Sequence, residues 1–126
     1  MPFQITEENA GRILVIRVMG KLVKADYAQL APQFEALVRQ KGKLPVLFDL
    51  TGFEGWDAGA AWEDLKFDLA HFSDISRLAV VGDKKWHHAI AAFSKPFMKG
   101  PVQYFDQTET AAARRWLAED QESGKG

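Results

Sequence analysis

Residues 48–65 read FDLTGFEGWDAGAAWEDL, and their reading decides the fold. The apolar run Leu44–Leu50, bounded by Gly42 and Gly52, predicts a central β-strand. It gives way to a turn, Thr51–Gly59, that combines three glycines with two aromatics, and helical periodicity resumes after Gly59. A strand running through a turn into a helix is half of a parallel βαβ unit. Ligands of open α/β sheets settle beyond the carboxyl ends of the strands, so this turn is the first place to look for function. It offers no nucleophile.

Working outward, Arg12–Met19 (RILVIRVM) is a β-branched, apolar strand. The turn signal Asn9-Ala10-Gly11 pairs it with Phe3–Glu7 as a hairpin. From Lys24 to Gln40, Tyr27, Leu30, Phe34, Leu37 and Val38 recur at helical spacing, which predicts an amphipathic crossover helix. Ser76–Val81 is another apolar strand, closed by Gly82 and by Asp83, a candidate N-cap for a helix over Lys84–Phe97 that ends at or before Lys95 because of Pro96. Pro101–Phe105 fits a short edge strand. Thr108 is a candidate cap for a last helix to about Asp120, with Ala113, Trp116 and Leu117 inward. The order predicts an α/β fold: a mixed, mostly parallel sheet of about five strands flanked by about four helices. Residues 1–120 form one domain, and the polar stretch 121–126 reads as a flexible tail.

At 126 residues one core suffices. The 16 basic and 17 acidic residues nearly cancel, which argues against a nucleic-acid partner. The absence of cysteine closes thiol chemistry and fits a reducing compartment. Without a signal-peptide pattern or a stretch of roughly 20 apolar residues, the sequence reads as cytoplasmic, with peripheral membrane association left open.

Catalytic groups do not assemble into a recognisable set. His87 and His88 are consecutive on a helix, point about 100° apart and read as solvated or half-buried side chains. Asp64, Asp68 and His71 share one helix face, a metal geometry whose plain alternative is a polar, solvated surface. Gly82-Asp83-Lys84-Lys85 opens a helix and could hold an anion, but neither a P-loop nor a GxGxxG motif occurs. No metal or cofactor is expected. Aromatics are the less ordinary feature. In the segment after Gly59, Ala61, Leu65, Leu69 and Phe72 make an inward stripe, yet Phe67 projects about 120° from it and Trp62 lies on its flank. In the next helix Trp86, Ile90, Phe93 and Phe97 form one stripe, which either packs on the sheet or lines a cleft.

The stretch LFDLTGFEGWDAG (residues 47–59) resembles the hallmark of STAS domains, in which a strand ending Asp-Leu-Ser-Gly leads to an Asp-Ser-Ser-Gly turn. RLAVVGDKKWHHAIAAFSKPF (77–97) and PVQYFDQTETAAARRWL (101–117) are similar to the SpoIIAA-like, or STAS/Sec14-like, branch. The resemblance implies a mixed sheet flanked by helices and a cytoplasmic, bacterial setting. It also implies a phosphoserine switch that this chain lacks, because Ala58 and Gly59 stand where the turn's two serines would be, the second of them the phosphoacceptor. Thr51 aligns with the earlier serine and does not inherit the role.

The Sec14-like side of the resemblance implies an apolar ligand. The sequence reading is therefore a non-enzymatic module that binds a small hydrophobic or lipid-like ligand, lined by Trp56, Trp62, Phe67, Trp86, Phe93 and Phe97. Lys84, Lys85, Lys95, Phe97, Met98 and Lys99 would meet a membrane surface. A homodimer contact would leave the same pattern, and the alternative function is a STAS-type protein-interaction module that works without phosphorylation.

Overall fold

The structure, a computed structural model, describes residues 3–8, 12–22, 24–56, 75–98 and 100–123. In chain order the elements are β1 (Phe3–Glu8), β2 (Ile13–Leu22), α1 (Lys24–Lys41), β3 (Leu44–Trp56), β4 (Ile75–Gly82), α2 (Lys85–Ser94), β5 (Val102–Asp106) and α3 (Thr110–Ser123). The five strands lie in sequence order in one mixed sheet, with β1 antiparallel to β2 and every later pair parallel. The expected pairing of β1 with β2, the crossovers that carry α1 and α2, and the edge position of β5 are present. Three helices flank the sheet among the described residues, and the segment expected as a fourth, after Gly59, lies outside them.

Period-two alternation on the middle strands explains the layering. Leu14, Ile16, Val18, Val46, Leu50, Leu78 and Val80 face one core, the front, closed by Leu30 and Phe34 of α1 and by Ala91 of α2, and the opposite core is the back. Ile13, Val15, Leu47, Ala79 and Val81 face the other, closed by Ala113 and Leu117 of α3. Strands apolar on both faces are what a sheet covered on both sides requires. α1 stops where Gly42 takes the left-handed conformation (φ 81°) and donates its N–H to Val38 O at 2.7 Å, a helix end that favours glycine.

Several boundaries move, each for a local reason. β2 and β3 run beyond Met19 and Leu50, because Met19–Leu22 pairs with Gly52–Trp56 through two register shifts. Each shift places an extra β3 residue opposite β2, and the first, between Asp49 and Gly52, lets Leu50 and Phe53, three apart, both enter the front core. Most of the stretch read as a turn is therefore strand. The last helix is capped by Asp106, not Thr108: a capping box of Asp106 and Glu109 opens a 3₁₀ turn, Gln107–Glu109, that leads into α3. α3 continues to Ser123, so residues 121–123 are helical.

Candidate functional site: the carboxyl ends of β3 and β4

Asp49 lies at the level of the strand ends, opposite Arg17 on β2 and Val81 on β4. Its Oδ1 accepts hydrogen bonds from Thr51 N–H (3.0 Å) and Thr51 Oγ1 (2.6 Å), and its Oδ2 accepts from Arg17 Nε at 3.2 Å. Burial works to raise the Asp49 pKa, but the Thr51 and Arg17 hydrogen bonds outweigh it and hold the carboxyl below its ordinary value. The Thr51 hydroxyl is thus committed to shaping the bulge.

On the same face Glu8 takes Arg114 of α3 in a two-pronged ion pair, Nε–Oε1 2.7 Å and Nη2–Oε2 3.1 Å. That hydrogen bonding lowers the Glu8 pKa and raises that of Arg114. Arg77 adds a second tie, donating to Trp116 O at 2.7 Å with its guanidinium carbon 4.9 Å from the Trp116 ring centre.

On the front face, His87 is the residue that the sequence reading misplaced. It is fully buried, at 0% exposure, where a solvated or half-buried side chain is expected. Its Nδ1 accepts the Asp83 N–H at 3.2 Å, and its Nε2 lies 3.2 Å from Phe53 O. A carbonyl only accepts, so the ring proton sits on Nε2 and the imidazole staples the tail of β3 to the start of α2. Gly82 allows this, since a Cβ there would lie 2.6 Å from His87 Cβ and 2.7 Å from Nδ1. Asp83 is not the N-cap of α2; Lys84 holds that position without a side-chain cap bond. The Asp83 carboxylate lies instead 3.4 Å from His87 Nδ1.

Of the expected ligand-binding set, Trp86 is half-buried, its ring 5.4 Å from Phe53 and 4.2 Å from His87. It packs against the front core together with Ile90. Trp62 and Phe67 lie outside the described residues, as do Lys99, Ala58-Gly59 and the Asp64, Asp68 and His71 trio. For Trp56, Phe93 and Phe97 only the backbone is described: the end of β3, the third turn of α2 and a 3₁₀ turn, Lys95–Phe97.

Of the expected membrane-facing set, Lys84, Lys85 and Lys95 are exposed, whereas Met98 is buried in the front core and faces inward. Met98 follows the 3₁₀ turn after α2, its N–H bonded to Lys95 O at 3.2 Å, and its side chain joins that core. Among the described residues no helix is long and apolar enough to cross a membrane, and no three His, Asp or Glu side chains are placed to hold a metal.

Among the described residues, His87, Trp86 and Phe53 fill the front of the strand ends, while Gly52, Glu54, Asp83, Lys84 and Lys85 are exposed. Comparison with known proteins agrees with the fold. The chain is similar to an uncharacterized protein of the DUF3478 family with a SpoIIAA-like fold from Shewanella loihica, at 27% identity over 91% of each chain and a TM-score of 0.72. It is also similar in fold to the Bacillus cell fate determinant SpoIIAA in its phosphorylated form, at 16% identity over 90% of this chain and 97% of that one, TM-score 0.61. No curated protein matches. The SpoIIAA-like family model matches residues 13–118, and the chain belongs to the SpoIIAA-like family.

Proposed function

We propose that the chain is a non-enzymatic protein-interaction module that works without a phosphorylation switch and meets its partner with the surface at the ends of β3 and β4. The observation that carries this reading is the filled front of those strand ends: His87 is sealed between Gly82 and Phe53 O, and Trp86 packs on Phe53. A mixed-charge surface over a packed interior suits a protein partner better than an enclosed apolar ligand, which needs a cavity. Ala58 and Gly59 supply no acceptor hydroxyl, so partner choice rests on shape and on the charges of Glu54, Asp83, Lys84 and Lys85.

The test pairs two measurements on affinity-tagged chain recovered from its source cells. A protein should co-purify in fixed ratio with the wild type and be lost from the Lys84→Glu/Lys85→Glu double variant, while native mass spectrometry shows no retained lipid. Co-purified lipid together with sedimentation on anionic vesicles would instead support the lipid-binding, peripheral-membrane reading and remove this one.

A further inference from the structure

β5 is an edge strand, and its outward edge can be read residue by residue. Along a strand, successive residues turn their N–H and C=O groups to opposite sides. Leu78 N–H bonds to Pro101 O at 3.0 Å, which points Pro101, and with it Gln103 and Phe105, toward β4. Val102, Tyr104 and Asp106 then point away from the sheet. Asp106 agrees: its N–H is taken by Glu109 Oε1 at 3.2 Å, outside the ladder. The outward groups of Val102 and Tyr104 remain, and no strand pairs with that edge among the described residues.

Beside this edge, between β5 and α2, lies a groove of about 260 Å³. Small apolar side chains, Ala91, Ala92 and Val102, line it together with the polar His88, Lys95, Gln103 and Tyr104. The volume falls below the roughly 300–1,000 Å³ of a small-molecule site, so it suits one or two side chains. The described residues of α2 include no acid, and Lys95 stands exposed at one end of the groove. An edge strand alongside a helix-walled groove is the arrangement in which a peptide adds as a further strand, its backbone bound by the edge and its alternate side chains read by the groove.

We propose that β5 is a strand-addition site for an extended segment of a partner protein that carries a small apolar side chain for the Ala91–Ala92 lining and an acidic side chain for Lys95. The proposal rests on the interaction-module reading for its class of partner, but it uses residues separate from the Lys84–Lys85 surface. With the Asp106 N–H taken by Glu109, the five-residue β5 offers two outward residues, Val102 and Tyr104. That restrains self-pairing of the edge and leaves selectivity to the groove.

The experiment selects a random heptapeptide display library on the purified full chain and synthesises the winning peptide. Selected sequences should alternate apolar and polar residues and include Asp or Glu. The peptide should slow hydrogen exchange of the Val102 and Tyr104 amides at least tenfold. It should bind at least tenfold more weakly to Lys95→Glu, and N-methylation of its alternate amides should abolish binding. Lys95→Gln should give an intermediate loss, and each variant's amide spectrum checks its folding.

Four results would overturn the proposal: no enrichment; protection of amides elsewhere; an N-methylated peptide that binds as well as its parent; or Val102 and Tyr104 amides already protected in a chain that sediments as a dimer, which would mean a second copy fills the edge. Failure here with partner capture through Lys84 and Lys85 intact removes the strand-addition site alone.

Discussion

His87 shows at the scale of one residue how the strand ends are held. Two backbone groups from different elements, Asp83 N–H and Phe53 C=O, depend on its ring, and Gly82 gives the ring its room. His87→Leu keeps the volume but strands a buried carbonyl, which costs about 1–3 kcal/mol. Gly82→Ala forces a Cβ into the ring and costs about 1–3 kcal/mol by overpacking. Urea unfolding should show both losses, whereas Lys85→Ala, on an exposed side chain nearby, should stay within about 0.5 kcal/mol of wild type. Hydropathy centres the inward face of α2 on Trp86, Ile90, Phe93 and Phe97, yet the most buried positions in the described part of the helix are His87 and Ala91. Among the described side chains of the helix, a small residue and a hydrogen-bonded polar one are thus the most deeply buried, and neither scores as core. The Gly-Asp before the helix, with a histidine four residues after the aspartate, was the available sign.

Elements are legible where periodicity is strong and are displaced where a long-range partner decides. The two-sided strands and α1 follow from their own sequence. The extension of β3 to Trp56 depends on Met19–Leu22 lying alongside, and nothing local in Gly52-Phe53-Glu54-Gly55 announces that. α3 is likewise docked by groups far away in the chain, Glu8 and Arg77. Glu8 has a depressed pKa in the folded chain, so its contribution is present above the unfolded value of about 4.3 and is lost as pH falls through the lower folded value. Asp49, also depressed, acts in the same direction. Wild-type stability should thus decline as pH drops below about 4.3. Arg114→Leu should be less stable at pH 7 by about 1 kcal/mol or less, because both partners are over a third exposed. Its decline on acidification should be shallower, so that the two curves of unfolding free energy against pH approach each other as pH falls through the lowered Glu8 value. Parallel curves would remove the pair from the account of how α3 is held.

For the whole molecule, the front and back cores share one sheet. Val46 and Leu47, or Val80 and Val81, are neighbours on one backbone that face opposite layers. A cavity opened under α3 therefore strains the strands that also carry the α1 and α2 side. Leu117 is fully buried in the back core and Leu50 nearly so in the front. Leu117→Ala and Leu50→Ala should each cost about 2–5 kcal/mol, and each variant should still unfold in one transition, with far-UV and near-UV circular dichroism coinciding and the urea slope unchanged. If the described residues form a single domain, the two substitutions shift every probe together, because neither layer has strands of its own. A Leu117→Ala variant that lost near-UV signal at lower urea than helix and sheet content would mean that α3 opens as a separate unit, and the single-domain reading of residues 1–120 would fall with it.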